Sequence, residues 1–267
     1  VSLRTTLRAI PTIMRVGFAD AIAYRAETIV WIAATTMPLV MLALWSAVAR
    51  DAPIGRFGAQ QMVGYFLAMF IVRQLTGSWA VWLMNMEIRD GTLAQRMLRP
   101  IHPLVTYAVA ALAELPVRGL LALPIAIVAL VAFAGSELTR GPFMWLVWVA
   151  AILGGWLITL LTNLAIGCAA LFVESSNKIM DVWLALYFVF SGYLFPVELF
   201  PRSMRTVVDW LPFRYQLGLP VEIMTGAYDV HHALVMLGRQ WAVVGCLLVI
   251  TAVTWTFGVR RFAAYGG

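Results

Sequence analysis

Lysine is almost missing from this chain: Lys178 is the only one among 19 basic residues, and the rest are arginine. A phosphate-gripping loop of the form G-x-x-x-x-G-K-[ST] needs a lysine behind paired glycines, and Lys178 follows Ser175-Ser176-Asn177. The chain therefore carries no P-loop ATPase of its own. Charge is scarce as well. Charged residues make up 12% of the sequence and hydrophobic ones 62%, where a soluble domain carries about 25% charged residues. That is too little charge to cover a water-facing surface, and the alternative solvent is lipid. Cysteine and histidine are rare. Cys168 and Cys246 both fall in apolar runs, so they read as packing residues and leave the redox compartment open. His231 and His232 stand beside Asp229 without the convergent ligands a metal needs, and they read as a surface loop. No metal site, no Ser/His/Asp set and no paired carboxylates are expected, because Glu114 is the only acid deep inside an apolar run.

What the sequence has is long apolar runs. A membrane helix needs ~20 mostly apolar residues. Thr28–Ala49, Gly141–Val173 and Gln240–Val259 are free of charge, as is the shorter Val182–Val197. Gln60–Met86 is interrupted only by Arg73, and Pro103–Ser136 only by Glu114 and Arg118. The expectation is an all-α membrane protein with six transmembrane helices over residues 28–49, 60–83, 104–134, 142–173, 179–197 and 239–259. Ten-residue alternation of the kind that marks a barrel is absent. Ala47-Val48-Ala49 looks like a cleavage site, but the run before it is too long for a signal peptide and starts too late. Most of the eleven tryptophans fall near span ends, as in interfacial belts.

Residues 1–27 precede the first run. Leu3, Leu7, Ile10, Met14, Phe18 and Ile22 share one helical face, with Arg4, Arg8 and Arg15 beside it. This spacing predicts an amphipathic helix in the membrane interface, with Pro11 as a kink. Basic residues in the loops favour both termini on the cytoplasmic side, ten against seven. A formal net charge of +6 carried by scattered arginines fits anionic headgroups rather than nucleic acid. Residues 198–238 form the longest connection. Phe195-Pro196, Phe200-Pro201 and Leu211-Pro212-Phe213 punctuate it, which predicts short re-entrant helices before the last span. Gly154-Gly155 would let span four approach a neighbour closely. Charges within spans usually face the bundle interior. Glu114 and Arg118 are spaced to pair on one helix face, and Arg73 would either pack, contact an anionic substrate group or snorkel to headgroups.

The segment 84–102 is the most informative. On a continuous helix, Arg89, Thr92, Arg96 and Arg99 would share a face, with Met86, Leu93 and Met97 beside it. The pattern Glu87-x-Arg89-x-Gly91-Thr92-Leu93, then Leu98-Arg99-Pro100-Ile101-His102-Pro103-Leu104 and a new span, resembles the coupling-helix region of ABC-2-type permeases. The likeness extends over nearly the whole chain, and points to a bacterial subfamily of export permeases. It implies a membrane subunit of an ATP-driven exporter in the bacterial cytoplasmic membrane, working by alternating access. ATP and magnesium would sit on two separate nucleotide-binding subunits. A second copy or a paralogous permease would complete a dimer. The coupling role would fall on Glu87, Arg89, Asp90, Gly91, Thr92 and Arg96, with Glu174 and Lys178 in the second inside loop. Phe195, Pro196, Phe200, Pro201, Pro212 and Phe213 would form the outer gate. Sparse charge in the spans suggests an apolar or amphipathic cargo. The competing readings are a channel or secondary transporter, and a membrane-embedded lipid-modifying enzyme.

Overall fold

The computed structural model of the protein describes residues 3–23, 26, 29, 30, 33, 35–173 and 175–262. Among these residues the fold is all-helical, without a strand. Helix α1 covers Leu3–Ala23 with Pro11 inside it, and runs unbroken. It lies along α6 (Pro103–Ala134), where Gly17 comes so close that a methyl group there would sit 2.9 Å from the Ala113 Cβ. The amphipathic stripe thus has a protein neighbour on one side.

Among the described residues, four helical stretches are long and apolar enough to cross a bilayer: Ala59–Arg89, Pro103–Glu137, Pro142–Ala169 and Val230–Val259. The first is two helices, α3 (Ala59–Thr76) and α4 (Ala80–Arg89), separated by Gly77, Ser78 and Trp79. The expected single span, 60–83, is therefore broken in its last third. The third and fourth are α7 (Pro142–Ala169) and α11 (Val230–Val259). At 1.5 Å per residue, α6, α7 and α11 are about 48, 42 and 45 Å long. A hydrocarbon core is only about 30 Å thick, so these helices tilt or emerge from it. Two further helices, α2 (Met37–Asp51) and α8 (Asn177–Phe190), are shorter than a bilayer crossing. Of the expected first span, 28–49, residues 28, 31, 32 and 34 lie outside the described residues.

The α3–α4 pair is the centre of the bundle. Its most apolar stretch is 72% buried, against 22% for α11. Around it pack α2, α6 and α7, while α11 lies against α7. Gly154 and Gly155 make the last contacts possible, as their spacing suggested. A methyl on Gly154 would meet the Gln240 side chain of α11 at 2.6 Å, and one on Gly155 would meet the Gln216 carbonyl at 2.7 Å. The last helix starts at Val230, nine residues before the expected span. His231 and His232 therefore stand on its exposed first turn rather than in a loop. Asp229 caps that turn. It accepts hydrogen bonds from the His232 amide at 3.2 Å and ring at 2.5 Å, which hold its carboxyl below the usual range.

Candidate functional site

The segment after α4 is not one helix. The chain turns at Asp90–Thr92, where Gly91 has φ +73°, and a short helix α5 (Leu93–Met97) follows. A left-handed residue is easiest for glycine, so Gly91 fixes the hairpin. This turn re-aims the candidate coupling residues. Glu87 is 8% exposed and points inward. It accepts from Arg96 through both oxygens, one bond measuring 2.7 Å, and from the Tyr107 hydroxyl at 2.5 Å. Arg96 also donates to Thr106 at 3.0 Å and lies over the Tyr107 ring. Glu87 and Arg96 thus clamp the hairpin onto the start of α6, and Leu93 is fully buried beneath it. Arg89, Asp90, Thr92, Leu98 and Arg99 remain exposed on the rim, with Gly91 half-buried between them. Leu98, at 87% exposure, was not among the expected site residues.

The neighbouring loop meets the same helix. Asn85 donates to the Ser176 hydroxyl at 2.7 Å and accepts from the Ser176 amide at 3.0 Å. Lys178 is exposed two residues on, and Glu174 lies outside the described residues. From Asn85 a chain of polar contacts continues through the bundle. Asn85 also donates to the Val81 carbonyl at 2.9 Å, and the Val81 amide donates to Asn163 at 3.3 Å. That amide is free because α4 starts at the break, and the first amides of a helix have no partner within it. Asn163 donates to the Thr159 carbonyl, and the Thr159 hydroxyl accepts from Gln216 at 2.9 Å. Gln240 donates to the carbonyls of Ala151 and Tyr215 at 2.9 and 2.8 Å. Gln216 and Tyr215 belong to a π-helical turn, Arg214–Gly218, which reaches the middle of α7 from the opposite end of the molecule.

That opposite end is a cap. After α8 the chain passes through a turn at 191–196, a single 3-10 turn at Val197–Leu199, α9 (Arg202–Val208), the π turn and α10 (Leu219–Met224). The candidate gate residues lie here, but unevenly. Phe195 and Phe200 pack at 4.8 Å between centroids, and Phe190 stacks on both Phe200 and Phe213. Phe213 meets Trp183 of α8 at 4.6 Å. Pro196 is buried and starts the 3-10 turn, Pro212 is half-buried, and Pro201 is an exposed start of α9. Beneath these rings lies a group that the sequence did not reveal. Arg214 pairs with Glu222 at 3.0 Å, and with Asp209. It also donates to the Tyr228 hydroxyl at 2.5 Å, which itself donates to Glu222 at 2.7 Å. Glu222 is 2% exposed, so among the described residues the buried acids are Glu222 and Glu87, whereas the Glu114 side chain is 40% exposed. Eight residues separate Arg214 from Glu222, beyond the three- or four-residue rule that exposes helical pairs. The cap is tied to the bundle by Trp45 to the Leu194 carbonyl at 2.8 Å, Tyr65 to the Gly192 carbonyl at 2.9 Å, and Arg56 to Glu198 at 2.5 Å.

The charges expected within spans gather at the α3–α4 break. Arg118 pairs with Glu114 as their spacing predicts, and Arg73 approaches the same glycine, Gly77, from α3.

Comparison with known proteins gives a family. A search of curated proteins finds no match to this chain. The sequence profile of a family described as "ABC-2 family transporter protein" matches residues 29–266. The match takes in the Gly91 hairpin, the broken helix and the cap together, and this multi-pass membrane protein belongs to the ABC-2 transporter family.

Proposed function

We propose that the chain is the permease subunit of an ATP-driven exporter, and that its Gly91 hairpin is the docking point for a nucleotide-binding partner. One observation carries the reading. The hairpin is clamped from inside by Glu87, Arg96 and Tyr107, yet it presents Arg89, Asp90, Thr92, Leu98 and Arg99 to the outside. A rigid element with a charged rim is suited to take a push from a second protein and pass it to α4. In this reading the hairpin and both termini face the cytoplasm of a bacterial cell, and the aromatic cap faces outward as the gate. ATP and magnesium belong to two partner subunits, and a second permease, identical or paralogous, completes the complex. The hydrogen-bonded chain from Ser176 through Asn85, Asn163 and Thr159 to Gln216 runs from hairpin to cap. It gives alternating access a continuous physical connection between the two gates.

The break between α3 and α4 is also a feature of secondary transporters, so ATP dependence decides between the two. The test is a pull-down of the tagged chain from native membranes in mild detergent, with R89E as the variant. Recovery of an ATPase with the wild type, and its loss with R89E at unchanged permease yield, is the expected result. A chain recovered without any nucleotide-binding partner would overturn the reading in favour of the ATP-independent one.

A further inference from the structure

Among the described residues, the break in the central helix gathers two arginines and one carboxylate. Gly77 sits between two guanidinium groups. A methyl placed on it would lie 3.0 Å from Arg118 Nη1 and 3.2 Å from Arg73 Nη1. The two cations come from different helices and converge on one point. Arg118 is 15 residues into α6, about 22 Å along a helix of about 48 Å. Arg73 is similarly far from the opposite end of α3–α4, so the point is near mid-depth of the bundle. Only one carboxylate, Glu114, answers both cations among the described residues, and it binds Arg118. Arg73 has the Tyr187 ring 5.8 Å away and the Tyr193 hydroxyl beside it, and its buried Nε has no hydrogen-bond partner. The first amides of α4 are already engaged, Val81 with Asn163 and Ala80 with the Ser78 hydroxyl at 3.5 Å. The unanswered donors are those of the arginines.

Ionised side chains at membrane depth are costly and in membrane proteins mark ligand paths. Guanidinium forks match carboxylate and phosphate oxygens in two-point geometry. We propose that Arg73 and Arg118 at the Gly77 break form a binding site for the anionic headgroup of an amphiphile. The amphiphilic part follows from the surroundings. The Glu114 side chain is 40% exposed, and Leu112, Leu120 and Leu121 next to it on α6 are exposed to the lipid side. A ligand arriving there needs an apolar tail as well as a charged head. Naming this amphiphile as the cargo rests on the exporter reading; the binding site itself does not.

The test is calorimetric titration of the purified full-length permease in maltoside micelles with dodecyl phosphate. Dodecylphosphocholine and inorganic phosphate serve as the zwitterionic and tail-free probes. Saturable binding of dodecyl phosphate, with much weaker binding of the other two, is expected. R73Q and R118Q should each weaken it about tenfold or more, and R73K should weaken it less than R73Q, since the charge remains but the two-point fork is lost. E114Q should tighten it, because Arg118 loses its internal anion, and a gain in affinity cannot come from misfolding. No saturable binding overturns the site, as does binding that R73Q, R118Q and E114Q all leave unchanged. Inorganic phosphate binding as tightly as dodecyl phosphate overturns the amphiphile assignment. Binding that persists in a chain with no ATPase partner sinks the exporter reading and leaves the site standing. An ATPase partner with no binding does the reverse.

Discussion

The two ends of this bundle use the same chemistry for different surfaces. At the hairpin Glu87 accepts from both Arg96 and Tyr107, and at the cap Glu222 accepts from both Arg214 and Tyr228. The first group joins α4 and α5 to the long helix α6, and the second closes the cap upon itself, because Asp209, Arg214, Glu222 and Tyr228 all lie between α8 and α11. The outer faces then diverge. The hairpin shows arginines and Asp90, a surface for a charged protein partner. The cap shows Met204, Val207 and Trp210, the last at 85% exposure, a surface that suits the bilayer interface, where tryptophan concentrates. A buried ion group can therefore hold a segment in place without dictating what that segment contacts. Its members are inside, and selection on the rim is free of them.

The comparison breaks most sharply at the cap pair. Glu222 is the more deeply buried of the two acids, and removing it strands the Arg214 charge. E222A should cost about 3–5 kcal/mol of stability, read as a fall in thermal unfolding temperature in detergent. E87A should cost less, about 2–3 kcal/mol, because Arg96 is partly exposed and water can reach it once the partner is gone. If E87A proves the more damaging, the two groups are not equivalent staples. G155A tests the join between α7 and the π turn. Its methyl would lie 2.7 Å from the Gln216 carbonyl, and overpacking of that kind costs about 1–3 kcal/mol. N163A removes the middle of the polar chain and leaves the Val81 amide unpaired, for about 1–2 kcal/mol. It should also change the accessibility of a cysteine label placed at the cap when ATP is added, which a purely local role would not do. R89E should have the smallest effect on stability, within about 0.5 kcal/mol, while abolishing partner binding. A large stability loss in R89E would place Arg89 inside the clamp rather than on the rim.

Much of this molecule was legible along the chain. The apolar runs gave the long helices, because hydropathy is a property of consecutive residues. The i,i+4 spacing of Glu114 and Arg118 gave their pair, since helix geometry alone brings them together. The segment 87–99 was legible as a site, and Gly154-Gly155 as a close approach. The roles within those regions were less so. A continuous helix from 84 to 102 would have put Arg89 and Arg96 on one face, but the Gly91 turn sends Arg96 inward and leaves Arg89 outside. The start of α11 was misplaced because Arg239 bounds the charge-free run, whereas the helix that Asp229 caps continues straight through it. Arg214 and Glu222 gave no signal, since a π turn and Pro220 separate them.

The sequence by itself determined that this is a helical membrane protein, since the transfer of apolar side chains from water depends on composition over about 20 residues; which of its apolar helices face lipid and which lie at the centre was decided by packing. It also determined the family, because the matching pattern is a linear one. The tertiary structure decided how the charges are distributed: Glu87 with Arg96, Glu222 with Arg214, and Arg73 beside Arg118 at a broken helix. A buried charge must find its partner through space, across turns and between helices. In a dry interior that requirement outweighs any preference written in neighbouring residues.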